Sequence, residues 1–197
     1  MSSVGEVEVA GVVLAGGAGR RFGMPKALVE HEGALLVERA ARVLADGGCS
    51  PVLVVLGAAA DEVRERADLT GAAVVLNPDW NTGMGSSLRV AIDALTSTDA
   101  DAAVVMPVDM PGIGAAAVRR VAELASPSAL AAAAHDGRRS HPVLLGREHW
   151  AGARAAATGD AGARGYLRDR EVALVPCDDI SAGFDVDRPE DLPRADT

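Results

Sequence analysis

The apolar positions of this chain come in short unbroken runs, set between longer stretches of helical spacing. Runs at Val9–Ala15, Val52–Leu56, Ala73–Leu76 and Ala102–Met106 are strand-sized and show no polar alternation, the mark of strands buried on both faces. Between them Leu35–Ala45, Ala59–Ala67 and a stretch from Ser86 to about Ser97 repeat apolar residues at helical intervals. Strands alternating with helical patterns in this way predict βαβ units and a parallel sheet covered on both sides. After Val118–Ala125 the rhythm loosens. Ala129–Ala134 and Pro142–Leu145 flank Asp136-Gly137, a dipeptide suited to a hairpin turn that needs positive φ. Two Ala-rich helices (about Arg147–Ala157 and Asp160–Asp169), a strand at Val172–Val175 and a strand-to-helix turn over Phe184–Leu192 finish the chain. The expected fold class is α/β, a three-layer α/β/α Rossmann-like arrangement on a mostly parallel sheet, with residues 1–197 as one domain.

Composition narrows the function classes. At 49% hydrophobic residues the chain is expected to fold rather than stay disordered. No apolar run is long enough to cross a bilayer, and the opening MSSVGEVEV has neither a basic nor an apolar leader region. A cytoplasmic protein without membrane contact is expected. A net charge of −9 repels nucleic acid backbones, and 3% aromatic residues leave little for base stacking. Nucleic acid is therefore not an expected partner. Cys49 and Cys177 are far apart and form no Cys-x-x-Cys pair, so they read as buried or half-buried thiols in a reducing compartment.

In an open parallel sheet, ligands sit beyond the carboxyl ends of the strands. Three unusual segments, Gly16–Lys26, Asn77–Ser87 and Pro107–Pro111, each follow an expected strand at that end. The first holds four glycines in eight residues, followed by Lys26. Backbone N–H groups in such a loop turn towards an anion without Cβ clashes, and Arg21 and Lys26 add cations for a polyphosphate. An ordinary Gly-rich turn with solvated basic residues is the competing account. A dinucleotide fingerprint fails because Phe22 stands in the place of its last glycine. A P-loop fails because Lys26 lies three residues beyond Gly23 and Ala27 follows.

In the second segment Gly83 and Gly85 permit close backbone approach, and Ser86 is placed to cap the following helix. In the third, Asp109 stands at the end of a buried strand between Pro107 and Pro111. A carboxylate there suits Mg²⁺, which prefers carboxylate oxygen together with substrate phosphates. Near the C-terminus Asp187 with Glu190, and Pro189 between them, fits a capping box. Asp185, one strand step earlier on the same face, is then the better second metal contact.

These segments resemble the MobA-like nucleotidyltransferases, which include molybdenum cofactor guanylyl- and cytidylyltransferases. Leu14-Ala15-Gly16-Gly17 through Lys26 is similar to L-A-G-G-x-S-x-R-x-G-x-P-K, with Gly19 in the Ser place. Asn77–Leu88 is similar to the cytidylyl branch's N-P-x-W-x-x-G-M-G-S-S-L, and Met106–Pro111 to the family's D-x-P element. Ser140-His141-Pro142-Val143 resembles G-H-P-V, Gly159–Arg164 resembles G-D-x-G-A-R, and Phe184–Leu192 resembles D-I-D-T-P-E-D-L.

The resemblance implies a nucleotidyltransferase fold that moves a nucleoside monophosphate from a nucleoside triphosphate to a phosphorylated small molecule, with release of pyrophosphate. It implies catalytic roles for Lys26, Arg21 and Asp109, and nucleotide contacts from Leu14, Ala15, Gly16, Gly17, Asn77, Gly85, Ser86 and Ser87. It implies acceptor contacts from His141 and Arg164, and Mg²⁺ on Asp109 and Asp185. Gly16 points to GTP, whereas Asn77–Leu88 and Gly159–Arg164 point to CTP, which is favoured. A molybdopterin-type acceptor is implied, and with it a molybdoenzyme or its maturation factor as partner. Two other classes stay open: an NAD(P)H-dependent oxidoreductase recruited from this fold, against which Phe22 argues, and a non-catalytic nucleotide-binding regulator.

Overall fold

The computed structural model describes residues 7–193; residues 1–6, part of the opening stretch read above for a leader, lie outside the described range. Nine strands are described: β1 (Val9–Ala15), β2 (Glu30–His31), β3 (Ala34–Leu35), β4 (Val52–Leu56), β5 (Ala72–Leu76), β6 (Ala102–Pro107), β7 (Leu130–His135), β8 (Arg138–Gly146) and β9 (Ala173–Pro176). The α-helices are α1 (Leu36–Asp46), α2 (Ala60–Arg66), α3 (Met84–Leu95), α4 (Ala115–Ala122), α5 (Arg147–Ala156) and α6 (Arg164–Arg168). Seven strands form one sheet in the order β5-β4-β1-β6-β8-β7-β9, and β2 pairs with β3 in a separate ribbon. Within the large sheet only β8 runs antiparallel to its neighbours.

The unbroken apolar runs follow from burial on both faces. Val13 and Ala15 of β1, Val54 and Leu56 of β4, and Val104 and Met106 of β6 pack with α1, α2 and α4. Their alternates Val12 and Leu14, Leu53 and Val55, and Ala103 and Val105 pack with α3, α5 and α6. Every residue of β4 and β6 is thus in a core, so no polar position appears in their sequence.

The structure departs from the sequence reading in four places. The Glu32-Gly33 turn, with φ of +50° and +77°, makes a ribbon of two residues a side that the pattern does not announce. Helix α3 starts at Met84 with Gly83 in the capping position, so Ser86 lies inside the first turn and is not the cap. The expected helix over Asp160–Asp169 is only α6, because Gly162 at φ +53° separates it from a single 3₁₀ turn at Gly159–Ala161. Phe184–Leu192 forms no sheet strand and only one 3₁₀ turn, Pro189–Asp191. No helix among the described residues is long and apolar enough to cross a membrane.

Candidate functional site

Because β1, β4, β5 and β6 are parallel, the loops that follow them emerge at one edge of the sheet. Backbone hydrogen bonds tie these loops together. The N–H of Val108 donates to the carbonyl of Leu14, that of Ala58 to Gly16, and that of Asn77 to Leu56. The N–H of Val186 donates to the carbonyl of Asp109 at 2.8 Å, which brings the C-terminal segment to the same edge.

An ion cluster sits at this edge. Nζ of Lys26 donates to Oδ2 of Asp109 at 2.8 Å and to Oδ1 of Asp187 at 2.9 Å. A guanidinium nitrogen of Arg21 lies 2.7 Å from the other oxygen of Asp187. The Lys26 side chain is 14% exposed and that of Asp109 is 21% exposed, whereas Arg21 is 72% exposed. Burial alone would lower the Lys26 pKa, but the hydrogen bonds and charges of both carboxylates raise it above its ordinary value. The hydrogen bond from Lys26, aided by the Lys26 and Arg21 charges, pulls the Asp187 carboxyl below the usual range.

Asp187 is therefore not a helix cap. Asp191 supplies the capping carboxylate, accepting from the N–H groups of Asp187 and Arg188. Asp185 and Asp187 flank the fully buried Val186, so the pair alternates as expected even without a strand. Asp185 does not join the ion cluster but lines the neighbouring cavity. Burial, together with the charges of Asp109 and Asp187, raises its pKa.

That cavity encloses about 790 Å³ and is lined by Leu14, Asp109, His141, Arg164 and Asp185 among others. Part of its lining comes from the turn between β7 and β8, where Asp136 and Gly137 adopt φ of +50° and +69°. This turn delivers Arg138 and Arg139, which also line the cavity. Sequence reasoning missed both; an Arg pair after a hairpin turn in an acidic chain is the signal that was there. His141 keeps some surface in the cavity yet has protein packed around most of its ring. Burial brings its pKa down to about 4, with Arg164 and Arg139 adding and Asp109 opposing. It is a neutral imidazole near neutral pH, not a cation.

The second expected segment is built differently from the first. Asn77 is 2% exposed, and its side-chain N–H groups donate to Ser86 Oγ at 2.8 Å and Ser87 Oγ at 3.0 Å. Ser86 Oγ donates in turn within 3.0 Å of the carbonyls of Gly83 and Asp79. These polar groups fix the loop shape from inside. Gly85 is buried against the backbone of Ala157 and Thr158. Gly16 is buried beside Ser87, whereas Gly17 is exposed with open space around it. Gly19 holds φ at +60°, and a Cβ there would sit 1.8 Å from the carbonyl oxygen of Met24. The absence of Ser at this position is thus a condition of the loop's shape. Ala15 is buried at the end of β1.

The sequence of residues 11–175 matches the MobA-like NTP transferase domain. The chain belongs to the MobA-like NTP transferase family. Among relatives of this MobA-like chain, the molybdenum cofactor guanylyltransferase of Rhodobacter capsulatus is 30% identical, over 96% of each chain. The nicotine blue oxidoreductase of Paenarthrobacter nicotinovorans is 40% identical over 94% of this chain and 95% of its own. Among solved structures, Rv0371c of Mycobacterium tuberculosis H37Rv superposes with a TM-score of 0.82 at 26% identity, covering 94% of this chain and 95% of its own. A further structure of Rv0371c is a complex with manganese, at a TM-score of 0.76 and 25% identity, covering 91% of this chain and 94% of its own.

Proposed function

We propose that this MobA-like protein is a magnesium-dependent nucleotidyltransferase, moving a nucleoside monophosphate from CTP or GTP to a phosphorylated acceptor of the molybdopterin type. The observation that carries the reading is the convergence of Lys26, Asp109, Asp187 and Arg21 above the carboxyl ends of β1 and β6, beside a large cavity. Two carboxylate oxygens from distant parts of the chain meet one cationic atom at 2.8 and 2.9 Å. A hard divalent ion held by one or two carboxylates plus substrate phosphates fits that donor set. Among the described residues no group of three or more His, Cys, Asp or Glu stands ready for a metal, which also favours an ion shared with substrate. When bound, such an ion neutralises phosphate charge.

The residues of the chain then have separable tasks. Lys26 and Arg21 offset charge on the triphosphate, and the backbone of Gly16 and Gly17 approaches it closely. Asn77, Ser86, Ser87 and Gly85 hold the shape of the nucleotide side. Arg164 faces the acceptor's phosphate, with neutral His141 as a hydrogen-bonding group beside it. An acceptor oxygen attacks the α-phosphorus, the bond from that phosphorus to the β-bridging oxygen breaks, and pyrophosphate leaves. A phosphate monoester is already anionic, so positioning and charge neutralisation supply the catalysis. A cytoplasmic setting suits both substrates.

The donor and the reaction class are tested together. Pyrophosphate release is measured with each nucleoside triphosphate, Mg²⁺ and a phosphorylated pterin acceptor; turnover with CTP or GTP is expected. The similarity to a nicotine blue oxidoreductase over nearly the whole chain favours a second reading, hydride transfer from NAD(P)H. Tight NAD(P)H binding by fluorescence titration, with no pyrophosphate release from any triphosphate, would replace the first reading with the second.

A further inference from the structure

We propose that Lys26 is a placeholder cation, holding Asp109 and Asp187 in metal-binding register and opposing metal entry until a triphosphate offers it another anion. The inference rests on the nucleotidyltransferase reading for the identity of that anion. Of the 19 Lys and Arg residues in the chain, Lys26 is the only lysine. An ammonium is a compact point charge on a flexible stem, whereas a guanidinium is a planar fork that pairs bidentately and is harder to displace. The one ammonium bridges the two carboxylates.

The geometry supports exchange rather than coexistence. Asp109 and Asp187 lie 83 and 161 residues from Lys26 in sequence, and its Nζ is the point that they share. The second oxygen of Asp187 is held by Arg21. A divalent ion that bridges the two carboxylates through the oxygens that Lys26 holds must therefore displace it from both. The displaced ammonium gives up both of its ion pairs. With a triphosphate present, Lys26 turns to phosphate while Ala27 and Leu28 stay buried. Metal and nucleotide binding are then positively coupled, and by linkage each strengthens the other.

The probe is Mn²⁺ without nucleotide, followed by the free-ion EPR signal, on wild type, Lys26→Gln and Lys26→Arg, each checked for folding by circular dichroism. Lys26→Gln is expected to bind Mn²⁺ roughly tenfold or more tightly than wild type, the scale of one charged hydrogen bond. Lys26→Arg should stay weak. A merely structural lysine gives no gain on removal, so equal or weaker binding by Lys26→Gln overturns the proposal. Should that variant misfold, wild type alone decides: a single lysine gives one acetylation site besides the N-terminus. Its modification rate, read by mass spectrometry, must rise when Mn²⁺ saturates, and an unchanged rate overturns the proposal. Pyrophosphate release is scored separately. Turnover without Lys26 exchange keeps the function and removes the placeholder; exchange without turnover does the reverse.

Discussion

Replacing His141 by glutamine should flatten the acid side of the stability profile. In the folded protein His141 protonates only near pH 4, against 6.5 for a free imidazole. Between those values the unfolded chain binds a proton that the folded chain refuses, so stability falls as pH falls through this window. The contribution is fully present above pH 6.5, is lost progressively on acidification, and changes no further below about pH 4. The difference between the two pKa values corresponds to roughly 3 kcal/mol over the whole window. Asp185 works the other way, because its raised pKa lets the folded state take up a proton first. The informative quantity is therefore the difference between wild type and His141→Gln, from urea unfolding at pH 7.5, 6.5, 5.5 and 4.5 (about one unit apart, to sample the linkage window). Over the sampled range wild type should lose about 2.5 kcal/mol more than the variant. Imidazole proton shifts supply the site-specific check: Arg164→Met should raise the His141 pKa and Asp109→Asn should lower it, following the signs of the charges that act on it. Parallel stability curves, or an imidazole titrating near 6.5, would refute the packing argument.

Three further outcomes are expected. Asp109→Asn should lower turnover at least about 10²-fold in a pyrophosphate assay, since metal-linked charge stabilisation is worth several kcal/mol; near wild-type turnover in the folded variant removes Asp109 from the chemistry. Gly85→Ala would ordinarily steady a helix by about 1 kcal/mol. Here the new Cβ meets the backbone of Ala157 and Thr158 at 2.8 Å, so chemical denaturation should show a loss of about 1–3 kcal/mol instead. Gly19→Ser should cost at least about 1 kcal/mol for the left-handed backbone, with a clash on Met24 besides, and should weaken nucleotide binding in a thermal-shift panel. Unchanged stability and binding would mean the loop adopts a different shape.

Burial made much of the architecture readable. β1 and β4 match the sequence boundaries because their residues are covered on both faces and nothing polar interrupts them. Where burial is partial the pattern fails. The edge strands β5 and β9 keep exposed apolar positions, and the segment around Asp185 is held by a few loop hydrogen bonds rather than a ladder. The site was legible as three loops at one sheet edge, because parallel topology alone requires it. The partners within it were not. Asp187 looked like a cap because Pro189 and an acidic residue follow it, and only the fold shows that Asp191 takes that task. Nor does the sequence announce that a buried Asn77 donates to the hydroxyls of Ser86 and Ser87. The pairing of Lys26 with two carboxylates spans most of the chain and leaves no local trace.

The single reversed strand, β8, brings the second part of the cavity lining to the same edge from the opposite chain direction. Its neighbours send their C-terminal loops to the functional edge, while β8 begins there, placing Arg138, Arg139 and His141 at the cavity by their position just after a hairpin. A hairpin tip is short and exposed, and can be rewritten without disturbing the parallel strands that gather Lys26 and Asp109. Proteins sharing this half of the sheet are thus free to diverge in what they admit while keeping the charged centre intact.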